Sequence, residues 1–225
     1  MTTPISPKIL NFIKKLEKNN NREWFNDNKN LYTEALSGFQ DFIQNLIEEM
    51  GKFDENILKE DPKKALFRIY RDTRFSKDKT PYKTNFGASF GMGKNGKKSG
   101  YYIHIQPGNS FLAAGIYLPE SPVLKTIRKE ISIFGEEFLQ TIENENFKKY
   151  YGELDQENKL KNVPQGFEKE DPMAEYLKLK SFVGTHNLSD KELSEPNTVQ
   201  NFSKIFMAAK PLNDFLENAI INDNN

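Results

Sequence analysis

Three short apolar stretches, Thr84–Phe90, Gly100–Gly108 and Ser110–Pro119, follow one another with little between them. This crowding constrains the fold more than any other feature of the chain. Connections this short join antiparallel strands, because a parallel pair needs a crossover of about a dozen residues or more. Pro107-Gly108-Asn109 turns the second stretch into the third, and a Gly/Lys/Asn loop joins the first to the second. An earlier stretch, residues 65–75, alternates Ala65, Phe67 and Ile69 with Leu66, Arg68 and Tyr70. It reads as a further strand.

Helical spacing frames these strands. Ser6-Pro7 is a start signal, a capping hydroxyl followed by a proline whose missing N–H costs nothing there. Ile9, Leu10, Ile13 and Leu16 then recur at helical intervals, and Asn19–Asn21 end the run. A longer helix begins near Trp24, carries Leu31, Ala35, Phe39, Phe42, Leu46 and Met50 on one side, and stops at Gly51. Beyond the strands, helices are expected from Ser121-Pro122 to a stop at Gly135, through Phe138–Ile142, and from Asp171-Pro172 through Met173, Leu177 and Lys180. Two C-terminal helical stretches meet at Pro211, which kinks or restarts the helix. The expectation is one α+β domain over residues 1–225: an antiparallel β-meander of about four strands flanked by N-terminal and C-terminal helices.

Composition narrows the chemistry. Twelve per cent of the 225 residues are aromatic, which marks a folding chain, and there is no cysteine. Disulfides, Cys-ligated zinc, iron–sulfur clusters and thiol catalysis are therefore excluded. His104 and His186 are the two histidines, too few for a His-rich metal centre. No metal and no cofactor is expected. The N-terminal segment lacks an apolar run of signal-peptide length, and no stretch approaches the ~20 apolar residues of a membrane helix. A cytoplasmic location, without membrane association, is the expectation.

Gly91-Met-Gly93-Lys-Asn-Gly96 matches a dinucleotide-binding pattern and nearly a phosphate-binding loop. Both motifs require a helix after the glycines, to aim its N-terminal amides at phosphate. Here the strand residues Tyr101–Ile105 follow, and Asn95-Gly96 is a hairpin-turn dipeptide, so the segment reads as a hairpin loop. In the next strand, alternation places His104 with Tyr102 and Gln106, opposite Ile103 and Ile105. If the isoleucines face the core, His104 looks away from it, as a structural or a catalytic histidine. His186 reads as an exposed loop residue.

Charge is zero overall, 32 bases against 32 acids, but unevenly spread. Residues 68–83 hold six bases (Arg68, Arg71, Arg74, Lys77, Lys79, Lys83) against Asp72 and Asp78, net +4. Residues 130–171 hold eleven acids against five lysines, net −6. Guanidinium is a planar fork that grips carboxylate or phosphate at two points. Three such forks interleaved with Tyr70, Phe75 and Tyr82 suit an anion site, with Arg68, Arg71, Arg74, Lys79 and Lys83 as its cations. Asp72 would orient one arginine, and Tyr82 or His104 would supply a proton. The competing reading is an ion-pair network that holds the fold together.

The run from Arg68 to Tyr82, RxxRDxRFxxDKxPY, resembles the signature of DUF2461, a bacterial family of unknown function. The resemblance continues through Arg22-Glu-Trp24-Phe25, Gly100–His104 with Pro107-Gly108, Phe111 to Pro119, Pro164–Phe167 and Leu177–Phe182. Similar proteins often carry a histidine just before the proline that matches Pro172, where this chain has Asp171. The resemblance supports one domain and the importance of residues 68–83, and it brings no established activity. Three functions compete. One is a protein binding a phosphorylated or carboxylated small molecule, as enzyme or sensor. Another is a nucleic-acid-associated domain, with Tyr70, Tyr82 or Tyr101 stacking bases. The third is a non-catalytic module meeting an acidic partner or a second copy of itself.

Overall fold

In the computed structural model, residues 4–92 and 98–222 are described. Gly93–Lys97, the centre of the expected hairpin loop, lie outside the described residues. Among the described residues the chain forms α1 (Pro7–Lys18), α2 (Arg22–Asp27), α3 (Lys29–Met50), α4 (Pro62–Ala65), β1 (Phe86–Phe90), β2 (Gly100–Ile105), β3 (Ser110–Ile116), α5 (Ser121–Ile133), α6 (Gly135–Glu143), α7 (Glu145–Tyr151), α8 (Ala174–Leu177), β4 (Phe182–Leu188), α9 (Thr198–Ala208) and α10 (Lys210–Asn222). The strands make one antiparallel sheet in the order β1-β2-β3-β4, and the fold is α+β.

The first, second and third strands of the sheet are the three crowded stretches. Residues 65–75 do not join it as a full strand. They form isolated antiparallel bridges, Leu66 to Ala88 and Tyr70 to Tyr82. The main-chain bonds Phe67 N to Gly87 O, Lys83 N to Ile69 O and Arg71 N to Pro81 O complete an irregular ribbon. Pro81 has no N–H to donate, so a regular ladder cannot continue past it. The fourth sheet strand is instead β4, which contains His186. The histidine placed in a loop by sequence therefore lies in a strand, its Nδ1 2.6 Å from the Tyr150 carbonyl.

The helix expected from Trp24 to Met50 is split at Asn28, whose side-chain amide donates to Trp24 O at 2.9 Å. That bond ends α2, and α3 then starts afresh. Gly135 opens α6 rather than simply stopping α5, and Pro211 restarts the chain as α10. The helix expected from Asp171-Pro172 shrinks to the single turn α8.

The chain divides into two compact units: residues 1–89, 102–112 and 187–204 in the first, and 90–101, 113–186 and 205–225 in the second. In the first, α1 packs along α3. Ser6 caps α1, and Ile9, Phe12, Ile13 and Leu16 are buried. Phe12, Phe25, Phe39 and Phe86 form an aromatic cluster with centroids 5.4–6.4 Å apart for the contacting pairs. Each such ring contributes roughly 1.5–3 kcal/mol through burial. In the second unit, Phe138 meets Phe182, Phe215 and Tyr176. There α10 packs on α5 and α6. Close approach in this unit requires Gly115: its φ is +125°, and a Cβ there would lie 1.9 Å from Phe182 O.

Candidate functional site

The ribbon 67–87 carries most of the basic run, and alternation sends its side chains to different places. Tyr82 is buried and stacks on Phe25 of α2, centroids 4.0 Å apart and planes 15° from parallel. Asn20 holds the same residue by its backbone, donating to Tyr82 O at 2.9 Å and accepting from Tyr82 N at 3.1 Å. Its neighbour Lys83 points elsewhere, with Nζ 5.3 Å from the centre of the Phe67 ring.

Arg71 closes the loop at the ribbon's end. Its Nη1 donates to the Asp78 carboxylate and to the Thr80 hydroxyl, and reaches Thr80 O at 3.3 Å. Its Nη2 lies 3.5 Å from Ser76 Oγ. The Thr80 amide, the Arg71 side chain and the Thr80 hydroxyl together pull the Asp78 carboxyl down to about 2. Asp72 pairs with Arg74, not Arg71, through Nε at 3.0 Å and Nη2 at 2.7 Å. These bonds, with the Arg74 amide, lower the Asp72 pKa. Lys79 donates to Thr73 O at 2.9 Å. Arg74 and Lys79 thus stay on the exposed loop, and Phe75 beside them is 95% exposed.

A cleft of ≈ 290 Å³ lies against this ribbon, lined by Arg22 and Asn26 of α2 and by Tyr70, Arg71, Thr73, Pro81 and Tyr82. It unites two of the proposed residues, Arg71 and Tyr82, with Tyr70, which the sequence places among the arginine forks, and with Arg22, which sequence reasoning did not place there. Arg22 has no hydrogen-bond or ion-pair partner among the described residues. Burial, then Tyr70, raises the Tyr82 hydroxyl's pKa, while Arg22 opposes the rise. The signal for Arg22 was present in the segment Arg22-Glu-Trp24-Phe25, whose Phe25 is the residue that stacks on Tyr82.

Lys83 belongs to another cluster, on the sheet face opposite Ile103 and Ile105, which it joins through Phe67, whose ring meets Tyr102 at 5.8 Å. Here His104 Nε2 meets Gln106 Oε1 at 3.1 Å, and its Nδ1 meets Tyr102 Oη at 3.0 Å. Gln106 Nε2 faces Thr84 Oγ1 at 3.5 Å, which leaves the amide oxygen to accept. Nε2 therefore carries the imidazole proton, and Nδ1 accepts from Tyr102. Phe111 stacks on the imidazole at 4.7 Å with 10° between planes. Burial lowers the His104 pKa, and Lys83 lowers it further against the opposing Gln106 bond. Burial pushes Tyr102 up to about 12. Tyr102 reaches His104 across Gly87, where a Cβ would stand 2.9 Å from its hydroxyl.

The second unit has its own hollow of ≈ 300 Å³, lined in part by Glu143, Lys148, Glu153, Lys159, Glu175 and Tyr176. Its two lysines are already closed by ion pairs, Lys148 to Glu143 at 2.8 Å and Lys159 to Glu175 at 3.0 Å. Among the described residues no group of three or more His, Asp or Glu side chains could hold a metal ion. No helix is long and apolar enough to cross a membrane among the described residues.

No curated protein and no solved structure matches the chain. A family model, described as a conserved hypothetical protein, matches residues 8–215. That span takes in the Arg22 segment, the Arg71 ribbon and the His104 strand alike, and the chain belongs to the DUF2461 family.

Proposed function

We propose that this protein binds a small molecule through its carboxylate or phosphate in the cleft between α2 and the 67–87 ribbon. The observation that carries the reading is Arg22, a guanidinium lining a cleft beside a second, anchored guanidinium and lacking any partner among the described residues. Arg71 is held in place by Asp78, Thr80 and Ser76, so its orientation is settled before a ligand arrives. A preorganised fork of this kind binds an anion at a smaller side-chain ordering cost. The Tyr70 ring, 51% exposed, offers a flat surface to the apolar part of the ligand.

Calorimetric titration with phosphate and with citrate tests this, alongside thermal melts. A ligand at a hundred times its Kd stabilises the folded state by about 2.7 kcal/mol. The parent protein should show that shift, and Arg22→Ala should bind one ligand fewer per chain and lose the cleft's share of it while melting like the parent without ligand. An unshifted parent, or an equal shift in Arg22→Ala, would overturn the reading.

A second reading has one specific observation in its favour. Phe75 is almost fully exposed, with the Arg74 guanidinium 5.9 Å from its ring and Lys77 and Lys79 nearby in sequence. An exposed aromatic among cations suits single-stranded nucleic acid, where bases stack and phosphates pair. Oligonucleotide binding that weakens steeply with salt and is lost in Phe75→Ala would favour it over the cleft.

A further inference from the structure

Lys83 and His104 are joined on one sheet face through Phe67 and Tyr102, whose rings meet at 5.8 Å, and Arg68 is near enough to act on the Lys83 charge; the cleft uses none of the three. None of the three has an ion-pair partner among the described residues. The Lys83 ammonium is disfavoured first by burial and then by Arg68. The His104 imidazolium is disfavoured by burial and by Lys83. The remaining titratable neighbours are Tyr102, bonded to Nδ1, and Asp72, which senses Arg68 weakly and is itself engaged by Arg74. Aromatic rings line the cluster: Phe67 under Lys83, and Phe111 under His104. Basic groups held together without a counter-charge gain most when an anion supplies it.

We propose that this sheet face is a second anion site, formed by Arg68, Lys83 and the Tyr102–His104 pair, in which a doubly charged oxyanion binds together with a proton taken up by His104. The ligand class is a phosphate-like dianion whose organic part rests on Phe67 and Phe111.

The hydrogen-bond chain shows how the proton is used. In the ligand-free protein, Tyr102 donates its only O–H to His104 Nδ1 and has none to offer a ligand. When Nδ1 is protonated, the direction reverses: His104 donates to Tyr102 Oη, and the phenol O–H turns to the oxyanion. Asn85 Nδ2, 3.4 Å from Nδ1, is a second and longer donor to the unprotonated ring, and it gives way when Nδ1 takes up the proton. One proton enters, no bond to carbon changes, and nothing is oxidised or reduced. Tyr102 thereby joins Arg68 and Lys83 as a ligand donor.

Sulfate is the suitable probe, because it stays doubly charged across the range in which histidine titrates. The imidazole resonances of His104 and His186 should be followed by NMR from acid to neutral pH, with and without sulfate. The expected result is a sulfate-dependent rise in the His104 midpoint, with His186 unchanged as the internal control. Calorimetry near neutral pH, in buffers of different ionisation enthalpy, should show net proton uptake on binding. Lys83→Met should weaken this proton-linked binding by roughly tenfold or more, as loss of a charge-assisted contact does. Arg68→Gln, at an exposed position, supplies the same test should Lys83→Met fold poorly. Arg22→Ala should leave the effect intact, which separates this site from the cleft. A His104 titration identical with and without sulfate would overturn the proposal. So would an effect lost in Arg22→Ala yet retained in both Lys83→Met and Arg68→Gln.

Discussion

Phe25 and Tyr82 stack nearly face to face, 4.0 Å between centroids and 15° between planes. This one contact fastens the short helix α2, and with it Arg22, to the ribbon that carries Arg71. It explains how two segments far apart in sequence come to line one cleft. Phe25→Ala should therefore cost roughly 3–5 kcal/mol, the usual range for a buried phenylalanine. Denaturant titration measures the loss, and anion binding should weaken in the same variant even where it remains folded.

Arg71 has a different profile. Its bonds tie residues 71–80 together, but Asp78 is 58% exposed, so solvent screens the pair. Arg71→Ala is expected to lower Tm by only a few degrees, about what a surface contact is worth in a chain of this size. Hydrogen exchange should quicken across residues 72–80 and little elsewhere. Global unfolding in Arg71→Ala would instead make Arg71 a residue that holds the whole fold.

The same loop should respond to acid. Asp78 titrates near 2 in the fold, against an ordinary value of 3.8. A depressed carboxyl contributes stability above its unfolded value and loses it as pH falls through the folded one. Protection of residues 72–80, taken against the intrinsic exchange rate at each pH, should therefore fall between those limits, and Asp78→Asn should remove that dependence.

His104 acts in a separate window. Its pKa lies below the ordinary 6.5, so the unfolded chain takes up its proton first as pH falls. The neutral imidazole contributes stability that is complete above 6.5 and is lost as pH drops toward the folded value. Urea midpoints should decline as pH falls below 6.5, and the decline should be shallower in His104→Gln.

At Gly115 an alanine faces both a positive φ and the Phe182 carbonyl. Strain and overpacking together should cost roughly 2–5 kcal/mol. A thermal melt of Gly115→Ala checks this, and a near-parental Tm would mean that the backbone moves aside.

Much of the sheet was legible in the sequence because its first three strands are consecutive and the middle one alternates over Tyr101–Ile105. Ile103 and Ile105 are buried, while Tyr102, His104 and Gln106 share the other face, as the period of two dictates. The fourth strand was not legible. Gly184, Thr185, His186 and Asn187 break the apolar alternation, and the partner strand β3 ends far upstream. Within the candidate site, the arginine run marked a segment that lines part of the cleft but not how its side chains divide. Tyr82 and Lys83 part company because neighbouring residues of an extended chain face opposite ways. Arg22 joins Arg71 through tertiary packing at Phe25 and the Asn20 bonds to Tyr82, which no local pattern encodes.

Crystals grown or soaked with tungstate, an electron-dense oxyanion, test the anion-binding account most directly. Anomalous density within salt-bridge distance of the Arg22 guanidinium, beside the Tyr70 ring and with Arg71 still bonded to Asp78, is the expected result. A cleft that stays empty at saturating tungstate, with Arg22 turned to an acidic partner, would contradict it.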